Sequence, residues 1–172
     1  MLRLLGGGMI LTGCLGLGMW YRQQFILRLK AIRVMVEILE ILMSEIGYGK
    51  ATLPECCRRV ATRQPEPYRT GLLHIYTKMQ ENEGVSFSET FCACMEEVLK
   101  DQPVTTDDKE HFLAFAKGEA FEDGRMQLRT IERSRELLVG TASGLEKENA
   151  EKCRLAVGLG AMSGLLLLLI LL

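Results

Sequence analysis

The sequence predicts an all-α fold: roughly six helices forming a bundle over residues 22–154, with one transmembrane helix at each end of the chain. Three observations carry that prediction. Charge is segregated to the middle of the chain. Apolar residues recur there at helical spacing. No run alternates apolar and polar residues with the period of two that a half-buried strand requires. A length of 172 residues suits one domain. Aromatic residues make up only 6% of the chain, and the abundance of Leu, Met, Glu and Arg favours helix over strand.

The segregation begins at the ends. Leu4 to Tyr21 and Leu155 to Leu172 contain no charged residue. All 22 acidic residues, and all of the 21 basic residues except Arg3, lie between these runs. This explains a mean hydropathy of +0.10 in a chain that is 25% charged. At ~1.5 Å per residue each run covers roughly 27 Å, close to the ~30 Å hydrocarbon core of a bilayer. The second run closes on Leu165 to Leu172, eight consecutive Leu or Ile residues, and reads as a membrane helix.

The first run has competitors. It follows Arg3 as a signal peptide would, and Leu11-Thr12-Gly13-Cys14 has the form of a lipobox, in which cleavage would leave Cys14 lipidated. Against both, the apolar run continues past Cys14 to Tyr21, and most of the basic residues follow it, at Arg22, Arg28, Lys30 and Arg33. A cleaved signal carries them before its apolar core. The preferred reading is an uncleaved anchor. By the positive-inside rule, Arg22 to Arg33 on one flank, with Lys152 and Arg154 on the other, place the middle domain in the cytoplasm and both termini across the membrane.

Small residues give these helices a way to pack. Ala156, Gly160 and Gly164 recur every fourth position, and the first run holds Gly6, Gly7, Gly8, Gly13, Gly16 and Gly18. Such faces let helix backbones approach closely in lipid. They serve either assembly into a larger complex or contact between the two helices of one chain.

The first helix continues beyond Tyr21. Phe25, Leu29, Ile32, Val36, Leu39, Met43 and Ile46 form a heptad seam, and Met35, Ile38 and Leu42 a second apolar face. A helix apolar on two faces suits the centre of a bundle. Gly47 to Gly49 ends it. Thr52-Leu-Pro-Glu55 reads as a capping box that opens a short second helix running to about Arg63. After the break at Gln64 to Pro67, a third helix to Glu81 places Leu72, Leu73, Tyr76 and Met79 inward, and Asn82 to Gly84 closes it. Ser86-Phe-Ser-Glu89 reads as a second capping box, opening a fourth helix to about Leu99. Pro103 interrupts. Thr106 or Asp107 caps a fifth helix with Phe112, Phe115 and Ala116 inward. A sixth helix begins near Gly124, with Leu128, Ile131, Leu138, Ala142 and Leu145 on one face, and runs into the C-terminal anchor.

Chemistry is sparse. The middle domain carries a net charge of −2, because Arg3 is the one charge outside it and the whole chain is at −1. A nucleic-acid binder usually shows a basic excess. The six cysteines make no C-x-x-C pair: Cys56 and Cys57 are adjacent, Cys92 and Cys94 have one residue between them, and Cys14 and Cys153 stand alone. His74 and His111 are isolated. No metal site or cofactor is therefore expected. No glycine-rich phosphate loop or nucleophile–base pair is evident, so no catalytic residue is expected either. Glu81 with Glu83, and Asp107 with Asp108, read as carboxylates at water-exposed helix ends. The polar residues best suited to partner contact are Tyr48, Asp123 and Gln127, each at a turn or helix start.

Several of these segments together resemble the stage III sporulation protein AB family. They are the glycine-rich anchor ending at Tyr21-Arg22, the run from Glu40 to Tyr48 followed by Thr52-Leu-Pro54, Phe112 to Gly118, Asp123 with Gln127, and the Gly- and Leu-rich C-terminal anchor. The resemblance covers essentially the whole chain. It departs at Ala120-Phe121, where the family more often has a Leu-Gly turn, and in the paired cysteines. The resemblance implies a cytoplasmic six-helix bundle similar to that of the F-type inner-membrane platform protein of type II secretion and type IV pilus machines. It implies a place in the mother-cell membrane around the forespore, in a transenvelope channel, with a hexameric secretion-type ATPase as the cytoplasmic partner. Platform proteins usually carry two bundles and three spans. One bundle and two spans here imply a possible homo-oligomer alongside other membrane subunits. The function so implied is a non-enzymatic platform coupling the ATPase to membrane partners. The alternative is a passive scaffold that organises other channel subunits through its transmembrane helices.

Overall fold

The computed structural model describes the backbone of residues 2–48, 52–81, 84–117 and 124–171. It describes the side chains of 23–47, 52–81, 84–117, 126–149 and 151. Among the described residues six helices follow one another: α1 (Leu2–Tyr48), α2 (Leu53–Ala61), α3 (Tyr68–Glu81), α4 (Phe87–Lys100), α5 (Thr106–Lys117) and α6 (Gly124–Leu171). No strand occurs among the described residues. The predicted number and order of helices hold. The chain divides into two compact units, Met1–Leu29 with Ser143–Leu172 in one and Lys30–Ala142 in the other.

The backbone of both predicted membrane spans, 4–21 and 155–172, is helical through Leu171. Their side chains lie outside the described residues. Among the described residues no helix is long and apolar enough to cross a membrane.

The second unit holds the core. In α1 the buried residues are Ala31, Ile32, Met35, Ile38, Leu39 and Leu42. Of the predicted heptad seam only Ile32 and Leu39 are fully buried, while Val36, Met43 and Ile46 are half-buried. The buried stripe is thus centred on Met35, Ile38 and Leu42, the face ranked second from the sequence. α2 buries Cys56, Cys57, Val60 and Ala61. The paired cysteines act there as small apolar side chains, a common fate of free thiols.

α3 corrects the predicted register. Tyr68, Leu72 and Ile75 point inward, spaced i, i+4, i+7, while Leu73 is 40% exposed. One residue along a helix is a turn of about 100°, so Leu72 and Leu73 cannot both face the core squarely. Gly71 shares the inward face. A methyl built on it would overlap Val98 Cγ2, so α3 and α4 approach closely at this point. α4 buries Phe87, Phe91, Cys94, Met95 and Leu99, and α5 buries Phe112, Phe115 and Ala116 as predicted, with Leu113. The Phe91 ring stands 5.0 Å from Phe115, edge to face, and 5.5 Å from Phe87. Edge-to-face pairs add about 0.5–1.5 kcal/mol beyond area burial. In α6, Ile131 and Leu138 are buried, with Leu128 and Ala142 half-buried, while Leu145, also buried, belongs to the first unit. α2 packs on α3, α3 on α4 and α4 on α5, each against its neighbour in sequence.

The starts of α2 and α4 fall where predicted, but their capping chemistry differs, and α5 is capped by Thr105 in place of the predicted Thr106 or Asp107. Neither Thr52 nor Ser86 makes a side-chain cap bond. The Glu55 carboxylate, expected to return a bond to Thr52, accepts instead from Arg58. The reciprocal box lies at α5. The Thr105 amide donates to Asp108 Oδ2 at 2.9 Å, and the Asp108 amide donates to Thr105 Oγ1 at 3.3 Å. Asp108 is accordingly buried, at 1% exposure, and not in water as its sequence position had suggested. Gly84, after α3, has φ +99°, in the left-handed region that favours glycine.

Candidate functional site

Among the described residues no group of His, Cys, Asp and Glu is arranged to hold a metal ion. The described cysteines are free thiols. Burial pushes the pKa of Cys56, Cys57, Cys92 and Cys94 upward, which keeps each one protonated and a poor nucleophile at neutral pH. A shallow depression between α3 and α4 brings His74, Cys94, Glu97 and Asp101 to one surface. No hydrogen bond joins His74 to Cys94 there as a nucleophile–base pair would need.

The site with the most structure is electrostatic. It forms where the C-terminal end of α1 meets α2. α2 carries Arg58 and Arg59 in its last turn, where the negative end of the helix dipole favours cations. Arg58 Nε donates to Glu55 Oε2 at 3.1 Å and its Nη2 to Oε1 at 2.5 Å. The same guanidinium lies 5.6 Å from the centre of the Tyr76 ring of α3, within cation–π range. Arg59 Nη1 donates across to Glu45 Oε2 of α1 at 2.9 Å, while its Nε stands 3.7 Å from Glu55 Oε1. The Arg58 hydrogen bond, followed by the fields of Arg58 and Arg59, holds the Glu55 carboxyl below the usual carboxylate range despite partial desolvation. Arg63 follows in the turn after α2, its amide bonded to the Val60 carbonyl. Its side chain makes no ion pair with any described residue. Ile41, Glu45, Arg58, Arg59, Thr62 and Arg63 enclose a groove of about 320 Å³. Helical periodicity alone did not reveal this groove. The sequence signal for it was three arginines within six positions of a chain that is acidic overall.

The polar residues singled out from sequence fall unevenly. Tyr48 is the last residue of α1, and its side chain lies outside the described residues. Asp123 lies outside them altogether. Gln127 sits in the first turn of α6, 9% exposed, and its Nε2 has no hydrogen-bond partner among the described residues. Ala156, Gly160 and Gly164 lie on the helical backbone of α6, with their side-chain surroundings outside the described residues. Elsewhere in the second unit, Arg135 of α6 pairs with Glu40 of α1 at 2.7 Å. Ser88 of α4 donates to the Ala116 carbonyl of α5.

These features define a class: an all-α bundle protein with two long terminal helices, its polar groups arranged as ion pairs and caps. The chain belongs to the stage III sporulation protein AB family, whose model matches residues 3–172. It is also similar to a solved structure of stage III sporulation protein AB, with a TM-score of 0.65 and 18% sequence identity over 72% of this chain and 97% of that one. At that identity the likeness shows a shared fold. No curated protein matches the chain.

Proposed function

We propose that this protein is a non-enzymatic membrane platform subunit of a sporulation channel, coupling a secretion-type ATPase in the cytoplasm to partners in the membrane. Family membership over residues 3–172 supports the sporulation setting. The observation that carries the platform reading is the continuity of α1 and α6. These helices have 47 and 48 residues, and each joins an apolar end to a segment that contributes to the bundle core.

In this reading both apolar ends cross the mother-cell membrane around the forespore, and the bundle faces the cytoplasm. Tyr48 and Asp123 contact the ATPase, and Gln127 positions the start of α6 from beneath its surface. Ala156, Gly160 and Gly164 pack against other membrane subunits or a second copy of the chain.

The test uses the full-length chain in nanodiscs, with the purified ATPase. Binding that weakens on Tyr48→Ala or Asp123→Ala is the expected result. Absence of ATPase binding by the intact chain overturns the coupling role. Gly160→Leu with Gly164→Leu separates the second reading, which the spacing of these small residues favours. Lost assembly with ATPase binding intact marks a scaffold acting through its membrane helices.

A further inference from the structure

We propose that the groove between the C-terminal end of α1 and α2 docks an acidic peptide segment of the cytoplasmic partner. The partner's identity rests on the platform reading. The chemistry of the groove does not.

Three guanidinium groups and one carboxylate, that of Glu45, line the groove, on a chain whose net charge is −1. The helix dipole accounts for Arg58 and Arg59, but Arg63 lies beyond the end of α2 and has no side-chain partner among the described residues. Its guanidinium therefore adds positive charge to the groove that neither Glu45 nor Glu55 balances by direct contact. Arg58 and Arg59 are held in place by Glu55, Glu45 and the Tyr76 ring. A guanidinium has five N–H donors, and the bonds formed here leave donors on both residues for an incoming oxygen. Those surface pairs are weak and readily exchanged, so a partner's carboxylates can share or replace Glu45 and Glu55. Half-buried Ile41 supplies apolar surface in the same groove.

Composition favours a peptide over a single phosphate. The groove presents the guanidinium groups beside the half-buried apolar side chain of Ile41, and a peptide segment uses both kinds of surface where a lone phosphate uses only the charge.

The probe is a short fluorescein-labelled peptide with glutamate at every second position. It is titrated by anisotropy against the full-length chain in nanodiscs of uncharged phosphatidylcholine. Binding should weaken with added salt. Arg63→Glu should lower affinity by about tenfold, as reversing one charge of a complementary set does, and Arg63→Lys should retain most of it. Lys147→Glu, on exposed α6 surface, should change it less than about twofold. Because the Arg63 side chain is exposed and makes no ion pair with a described residue, its replacement tests docking, with thermal unfolding as the check that the bundle is retained. No probe binding, or equal loss with Lys147→Glu, overturns the proposal. So does displacement of the probe by equimolar inorganic phosphate, or Arg63-dependent binding to phosphatidylglycerol vesicles in place of the peptide. A parallel arm with the purified ATPase keeps the two readings apart. ATPase binding unaffected by Arg63→Glu overturns the groove and leaves the platform. Arg63-dependent probe binding without any ATPase binding supports the groove and overturns the platform.

Discussion

At the scale of single residues, the molecule depends on positions where size or protonation is tightly set. Gly71 is one. With Val98 directly over it, Gly71→Ala forces the α3 and α4 backbones apart or drives the stiff valine from its rotamer. Overpacking of this kind costs about 1–3 kcal/mol. Urea unfolding of the bundle should register it, and Val98→Ala in the same chain should restore part of the loss. Tyr68 is another. Burial raises its phenol pKa to about 12, from an ordinary value of 10.0. The folded state holds that proton more tightly than the unfolded chain does. The stability linked to Tyr68 is therefore fully present below pH 10 and declines as pH rises through 12. A spectrophotometric titration should find phenolate from Tyr68 forming near pH 12, and Tyr68→Phe should flatten the loss of stability in that window. A Tyr68 midpoint near 10 would contradict its burial.

At the scale of elements, caps and faces separate what the sequence disclosed from what it concealed. Helix starts at Leu53 and Phe87 were legible, because proline and Ser or Thr stand at the right offsets. The bonds themselves were not. Whether Glu55 returns to Thr52 or takes an arginine depends on where Arg58 and Arg59 stand in three dimensions, and charge-assisted pairs usually win. Thr105-x-x-Asp108 went unread because the familiar form of the box ends in Glu or Gln. The structure shows Asp performing the same exchange from a buried position. Thr105→Ala should therefore destabilise the bundle by about 1 kcal/mol. Asp108→Ala should cost more, since it removes the shorter of the two bonds, accepted from the Thr105 amide, and empties a buried side-chain position. Thermal unfolding ranks the two, and Thr52→Ala, with no cap bond to lose, should cost less than either. The sequence places both Leu72 and Leu73 inward because they are equally apolar, and the structure keeps Leu72 alone. Only packing against α4 chose between them. The arginine groove lay further out of reach, since Glu45 and Arg59 are 14 residues apart and no periodicity links them.

At the scale of the whole molecule, the all-α class and six-helix order were legible from segregation of charge and from punctuation by Gly and Pro. Family membership followed from the order of several weak motifs along the chain. Tyr48 and Asp123 were singled out by their turns, and the groove lies immediately after one of those turns, although neither residue lines it. Topology has its own test. If both apolar ends span the membrane, a permeant maleimide will label Cys92 in intact cells where an impermeant one will not. Cys92 is half-buried with its thiol pKa raised, so its labelling should be slow at neutral pH and accelerate as pH rises. Labelling of Cys92 by the impermeant reagent would invert the proposed orientation.

The succession of neighbour contacts from α2 to α5 bears on how the protein is made. Each helix meets one just before or after it, so little loop-closure entropy stands in the way of pairing. Translation proceeds from the amino terminus, and domains tend to fold as they emerge. The α2–α5 stack can thus assemble on the ribosome while α6 is still being synthesised. Nascent chains stalled late in α6, once α5 has emerged, should already protect Phe91 and Phe112 from protease, leaving α6 to complete a partly built bundle.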